Sequence, residues 1–96
     1  MKIKKDDLLE IVNKKIQNIS DEFDIQLTQE KDTIYVYSEK GNFDSMMLVV
    51  LISEIEEELL LNHDIEISLT SDKAMSKNTP FETNLSILNL IIESDF

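Results

Sequence analysis

Residues 45–61 read Ser-Met-Met-Leu-Val-Val-Leu-Ile-Ser-Glu-Ile-Glu-Glu-Glu-Leu-Leu-Leu, apolar almost throughout apart from the acids at Glu54, Glu56, Glu57 and Glu58. At 3.6 residues per turn, Leu48, Ile52, Ile55 and Leu59 fall on one stripe, which Leu51 widens. The opposite side carries Met46, Val50, Ser53 and Glu57, with Glu54 and Leu61 close by. The pattern predicts a helix with one face for a core and an outer surface half acidic, half apolar. Asn62, which tolerates the left-handed conformation, is a natural stop.

Working upstream, Leu8, Val12, Ile16, Ile19 and Phe23 recur at helical spacing, with Leu9 and Ile11 broadening the stripe. Asp7 with Glu10 has the form of a capping box, and a start one turn earlier is also open. Between Asp24 and Phe43 the period breaks. Thr33-Ile34-Tyr35-Val36-Tyr37 is β-branched and aromatic and reads as a strand on propensity. Downstream, Ile65, Ile67 and Leu69 alternate with polar neighbours, a second strand signal. Ser71–Lys77 can form one short helical turn that Asn78-Thr79-Pro80 ends. Thr83 then caps a last helix, with Leu85, Leu88, Ile91 and Ile92 facing inward.

The length, 96 residues, suits a single domain over residues 1–96. With 42% hydrophobic and 30% charged residues the chain can build a small core. One glycine and one proline leave little material for turn-dense β architectures. Twenty acids against nine lysines give a net charge of −11. Such a surface repels phosphate backbones and anionic lipid, so the partners expected are basic proteins rather than nucleic acid or membrane. No cysteine is present, which removes disulfides, thiolate metal sites and cysteine catalysis. No apolar run is long enough to cross a bilayer and no leader pattern is visible, so the expectation is a cytoplasmic, soluble protein.

Ordinary catalytic patterns are missing, and the chain does not read as an enzyme. The single histidine, His63, sits at a helix end, where a charge-favourable cap explains it better than a catalytic base. The carboxylates from Glu54 to Glu58 lack the spacing of a metal loop and read as a solvated acidic face. Gly41 stands alone and makes no phosphate loop. What remains is Asp44-Ser45-Met46, where the long irregular segment meets the acidic helix. Serine and aspartate are preferred helix caps, which is the plain explanation. A hydroxyl at a helix N-terminus is also well placed to carry a phosphate, because free backbone donors and the positive dipole end favour an anion.

Gly41-Asn42-Phe43-Asp44-Ser45-Met46, then Leu48-Val49 and the acidic Glu54-Ile55-Glu56-Glu57-Glu58-Leu59, resembles the acyl carrier protein family. Asp64-Ile65-Glu66-Ile67 resembles the stretch after the second helix of such carriers, and Asp72 to Phe81 resembles the third-helix region of some of them. The resemblance runs from about Gly41 to the C-terminus and covers the first helix by pattern only. It implies an all-α fold, a small four-helix bundle of three main helices and one short one, with a long first loop. On that view the segments around Tyr35 and Ile67 are extended loops packed on helices, because two isolated short strands bury too little to stand alone.

The resemblance further implies that Ser45 is the attachment point of 4′-phosphopantetheine and that Asp44 is the acidic neighbour that assists the modifying transferase. The partners implied are a phosphopantetheinyl transferase and acyl-activating, condensing or acyltransferase enzymes, served by a monomer. The carrier would hold an acyl group as a thioester for a dedicated pathway of lipid biosynthesis rather than for bulk fatty-acid synthesis. An aminoacyl or peptidyl carrier, and an unmodified acidic interaction module, stay open as alternatives. Met46 stands where the family usually has leucine, a volume-conserving change. Met47 and Val50 stand where general fatty-acid carriers present acids; with Met46 and Val49 they make an apolar patch. That patch is either covered by the long loop or docks a dedicated partner, with Glu56 and Glu57 steering basic surfaces.

Overall fold

The computed structural model describes residues 3–69 and 81–94. Three helices, α1 (Lys5–Phe23), α2 (Ser45–His63) and α3 (Asn84–Ser94), surround one apolar core, as their periodicity predicts. Leu8, Val12, Ile16 and Ile19 line the inner side of α1; Leu51, Ile55 and Leu59 do so on α2. On α3 the inward set is Ile87, Leu88, Leu90 and Ile91, whereas Leu85 and Ile92 are only half-buried. The core stripe is thus rotated from the Leu85–Ile92 register. Helix α1 packs against both α2 and α3.

The expected four-helix bundle is not what the chain builds. Thr28–Glu30 (β1) and Thr33–Tyr35 (β2) form a two-stranded antiparallel sheet in register Thr28 to Tyr35, Gln29 to Ile34 and Glu30 to Thr33. The result is a small mixed α/β fold. The premise that failed is isolation. The second edge of β2 is occupied: Val36 N–H donates to Glu82 C=O (2.9 Å), Tyr37 N–H donates to Phe81 C=O (3.2 Å), and Tyr35 bridges Thr83. Ile34 and Val36 are buried, and β2 packs on α3. The Ile65–Leu69 segment, in contrast, pairs with no strand among the described residues. Its alternation comes from burying Ile65 and Leu69 against the core. The expected short helix at Ser71–Lys77 lies outside the described residues.

Helix ends differ from the sequence expectation in instructive ways. Helix α1 starts before Asp7, with Lys4 as its N-cap and no side-chain cap. Ile3 and Leu8, both buried, occupy the positions of a hydrophobic staple, so apolar anchoring replaces the capping box. Asp6 and Asp7 complement the positive dipole end. Helix α2 passes Asn62 and ends at His63, with Asp64 left-handed at φ 54°. Thr83 does cap α3, accepting from Ser86 N–H through its hydroxyl at 3.1 Å.

Candidate functional site

The approach to α2 is held from several directions. Ser38 C=O accepts from Gly41 N–H (3.1 Å), Phe43 N–H donates to Val36 C=O (3.3 Å), and Asn42 Nδ2 donates to Gln26 C=O (2.7 Å). Phe43 is buried two residues before Ser45. Gly41 lies so close to the chain that a Cβ there would sit 1.9 Å from the Val36 carbonyl oxygen and 2.5 Å from its carbon. The obstacle is backbone, which cannot swing aside. Gly41→Ala should therefore destabilise the fold by about 1–3 kcal/mol, as overpacking does; a urea midpoint equal to that of the parent would mean the loop can yield.

The structure assigns the two candidate residues different work. Asp44 is the N-cap: its Oδ1 accepts from Met47 N–H at 2.8 Å, and its carbonyl accepts from Leu48 N–H at 3.0 Å. Ser45 is the first helical residue, is exposed, and its hydroxyl takes no partner among the described residues. The plain reading of the Asp-Ser pair thus applies to Asp44 and leaves Ser45 over. Helix geometry also leaves the N–H groups of Ser45 and Met46 without an intrahelical acceptor. An accessible hydroxyl, two unclaimed donors and the positive end of a helix dipole fit a phosphodiester on Ser45.

The flanking candidates divide. Met46 and Val49 are exposed at 67% and 62%, on the same side as Ser53 and Glu57. Met47 and Val50 are half-buried and packed on the core. For those two, partial covering is what the chain shows, and they add little to an outer patch. Glu57 is exposed, but Glu56 is half-buried and its Oε2 accepts from Leu69 N–H at 2.7 Å. Glu56 fastens the 64–69 segment to α2. Asp44, Ser45, Met46 and Val49 form one accessible site with Glu57 further along it; Met47, Val50 and Glu56 do not belong to it.

The far end of α2 has its own electrostatics. Glu58 accepts from Asn62 Nδ2 (2.8 Å) and lies 3.6 Å from Lys15 Nζ and 3.8 Å from His63 Nε2. The Asn62 hydrogen bond, helped by the Lys15 charge, holds its carboxyl below the ordinary value of 4.5. A depressed carboxylate contributes stability above its unfolded pKa, and that contribution disappears as pH falls through the folded value. Glu58→Gln should flatten the loss of stability below pH 4.5, by no more than about 1 kcal/mol because the group is near the surface. Unchanged acid limbs in parallel urea titrations would remove Glu58 from the account. Beside this cluster lies a cleft of about 280 Å³ lined by Glu10, Lys14, Lys15, Glu58 and His63. Glu58 is 13 residues along the helix from Ser45, about 20 Å.

Two features are hidden in the sequence. Asn84, at the start of α3, is fully buried and ties together three segments. Nothing local in its surroundings signals this. Leu60 is unmarked too, although a Leu59-Leu60-Leu61 run on a helix with one inner stripe can bury only part of itself. Among the described residues no group of His, Cys, Asp or Glu is placed to hold a metal ion, and no helix is long and apolar enough to cross a membrane. Comparison with known proteins returned no match to any protein family, curated protein or solved structure.

Proposed function

We propose that the protein is a stand-alone carrier in which Ser45 bears 4′-phosphopantetheine. One observation carries the reading: the aspartate of the Asp-Ser pair does the capping, and the serine beside it is exposed, its hydroxyl unengaged among the described residues. When bound, the group supplies a flexible arm whose terminal thiol holds an acyl cargo as a thioester, a sulfur this cysteine-free chain cannot provide. The chain's own residues do the rest. Ser45 holds the phosphate, and the N–H groups of Ser45 and Met46 face its charge. Asp44 fixes the first turn so that the hydroxyl is presented at a constant angle. Met46 and Val49 form an apolar rim for the enzymes that reach the arm, and Glu57 attracts basic surfaces, chiefly by raising association rates. An aminoacyl cargo would use the same geometry.

The test is intact mass after incubation with coenzyme A and a phosphopantetheinyl transferase, with fragmentation to locate any modification. The expected result is a gain of one phosphopantetheine located on Ser45. No gain, with a transferase active on a control carrier, would return the chain to the class of acidic interaction modules.

A further inference from the structure

The cleft of about 280 Å³ lies where the first half of α1 meets the end of α2, away from Ser45. Its lining divides into two kinds of charge. On one side Lys15, Glu58 and His63 engage one another: Lys15 Nζ and His63 Nε2 approach the Glu58 carboxylate at 3.6 and 3.8 Å. These groups tie α1 to α2 and form one wall. On the other side Asp7, Glu10 and Lys14 are exposed, and their charged groups have no partner among the described residues. Glu10 and Lys14 stand at the i,i+4 spacing of a helical ion pair, yet no pair forms between them. Half-buried Ile11 lies between them on the same face of the helix.

The cleft therefore offers free carboxylates toward the start of α1, a free ammonium further along the helix, and apolar surface between them. Asp7 and Lys14 are seven residues apart, about 10.5 Å along the axis and beyond the reach of helical pairs. A lone anion is a poor occupant, because it meets Asp7, Glu10 and the field of a chain carrying −11. A lone metal ion is no better: among the described residues no group of His, Asp or Glu is placed to hold one, and Lys14 repels it. A molecule of no net charge, with opposite charges at its two ends, escapes that field and uses both ends of the cleft. An α-amino acid carries its charges on one carbon and cannot span the site. Three residues of extended peptide reach about 10 Å. The volume, just below the roughly 300–1,000 Å³ of sites for drug-sized ligands, suits an occupant of that length. We infer that the α1–α2 cleft binds a small linear zwitterion, a free tripeptide or an ω-amino acid. Its ammonium meets Asp7 and Glu10, its carboxylate meets Lys14, and its middle lies on Ile11. The inference goes beyond the carrier reading and needs no modification of Ser45.

The experiment titrates the unmodified protein with trialanine and with ε-aminocaproate, tracking backbone amide shifts. The controls are N-acetyl-trialanine amide, which keeps the body without the charges, and alanine, whose charges are adjacent. The expected result is saturable binding of a long zwitterion with a Kd of about 1 mM or below, and shifts at Asp7, Glu10, Ile11, Lys14 and His63. Both controls should bind at least about ten-fold more weakly. Preference for trialanine assigns the site to free peptides, and the reverse assigns it to ω-amino acids. Lys14→Met, which keeps the stem and removes the charge, should raise the Kd at least about three-fold, the worth of an exposed ion pair. Asp7→Asn/Glu10→Gln should do the same from the other end. All three side chains are exposed, so the melting temperatures should stay close to that of the parent. Controls that bind as well as the zwitterions, or parental affinity in both variants, would overturn the proposal. So would shifts on another face, or no saturation by about 10 mM. The mass experiment on Ser45 reads none of these, so the two ideas fail separately.

Discussion

Ser45→Ala is expected to abolish the gain of phosphopantetheine completely and to leave the fold as stable as the parent. The first half comes from the proposed linkage, since alanine has no hydroxyl to form it. The second comes from the position of the residue. Ser45 is the first residue inside α2, and the cap hydrogen bond belongs to Asp44, so no capping energy is lost. Alanine is the stronger helix former, and the side chain is exposed; the change in stability should lie within about 0.5 kcal/mol. Asp44→Ala is the opposite case. It should cost about 1 kcal/mol through the Met47 N–H left unbound, and it should slow modification while leaving Ser45 modifiable. A Ser45→Ala protein that still gains mass would mean the attachment lies elsewhere. One that unfolds would mean the serine is structural.

How much of this is legible in the sequence depends on how far each determinant reaches along the chain. The helices are, because Leu8-Val12-Ile16-Ile19 and Leu51-Ile55-Leu59 declare a buried stripe through local spacing. The pairing at 28–35 is not. Its first strand, Thr-Gln-Glu, has no apolar residue to mark a face, and its two-residue turn uses left-handed Lys31 at φ 55° where a hairpin signal would show glycine. The strand propensity around Ile34 is sound. What argues against it is isolation, and the segment at 81–83 that removes the isolation is some fifty residues away. At the site, the exposure of Met46 can be read from its position on the helix, whereas which of Asp44 and Ser45 makes the cap cannot, because both residue types suit that place. The half-burial of Met47 and Val50 cannot, nor can the engagement of Glu56 by Leu69 N–H, because both depend on which neighbours flank α2.

The largest loss of stability should come from Asn84, far in sequence from the candidate site. Its Oδ1 accepts from Ile34 N–H and from Leu85 N–H, each at 2.9 Å. Its Nδ2 donates to Asn13 Oδ1 at 2.7 Å and to Asp32 C=O at 3.1 Å. One fully buried side chain therefore satisfies the hairpin, its turn, α1 and the first turn of α3. Asn84→Ala leaves these groups without it, and each buried orphan costs about 1–3 kcal/mol. Some of the four will find water, so the expected total is about 3–5 kcal/mol, a large share of the roughly 5–15 kcal/mol that holds a small domain together. The melting temperature should fall by at least about 12 °C. Asn13→Ala removes one partner only and should cost about 1 kcal/mol. The damage should also travel. The sheet leads into Val36, whose carbonyl receives Phe43 N–H, and Phe43 leads directly to Asp44. Native-state hydrogen exchange should show the Ile34, Val36 and Phe43 amides opening together in Asn84→Ala and staying protected in Asn13→Ala. If Ile34 alone loses protection, Asn84 stabilises the hairpin locally, and the presentation of Ser45 does not depend on it.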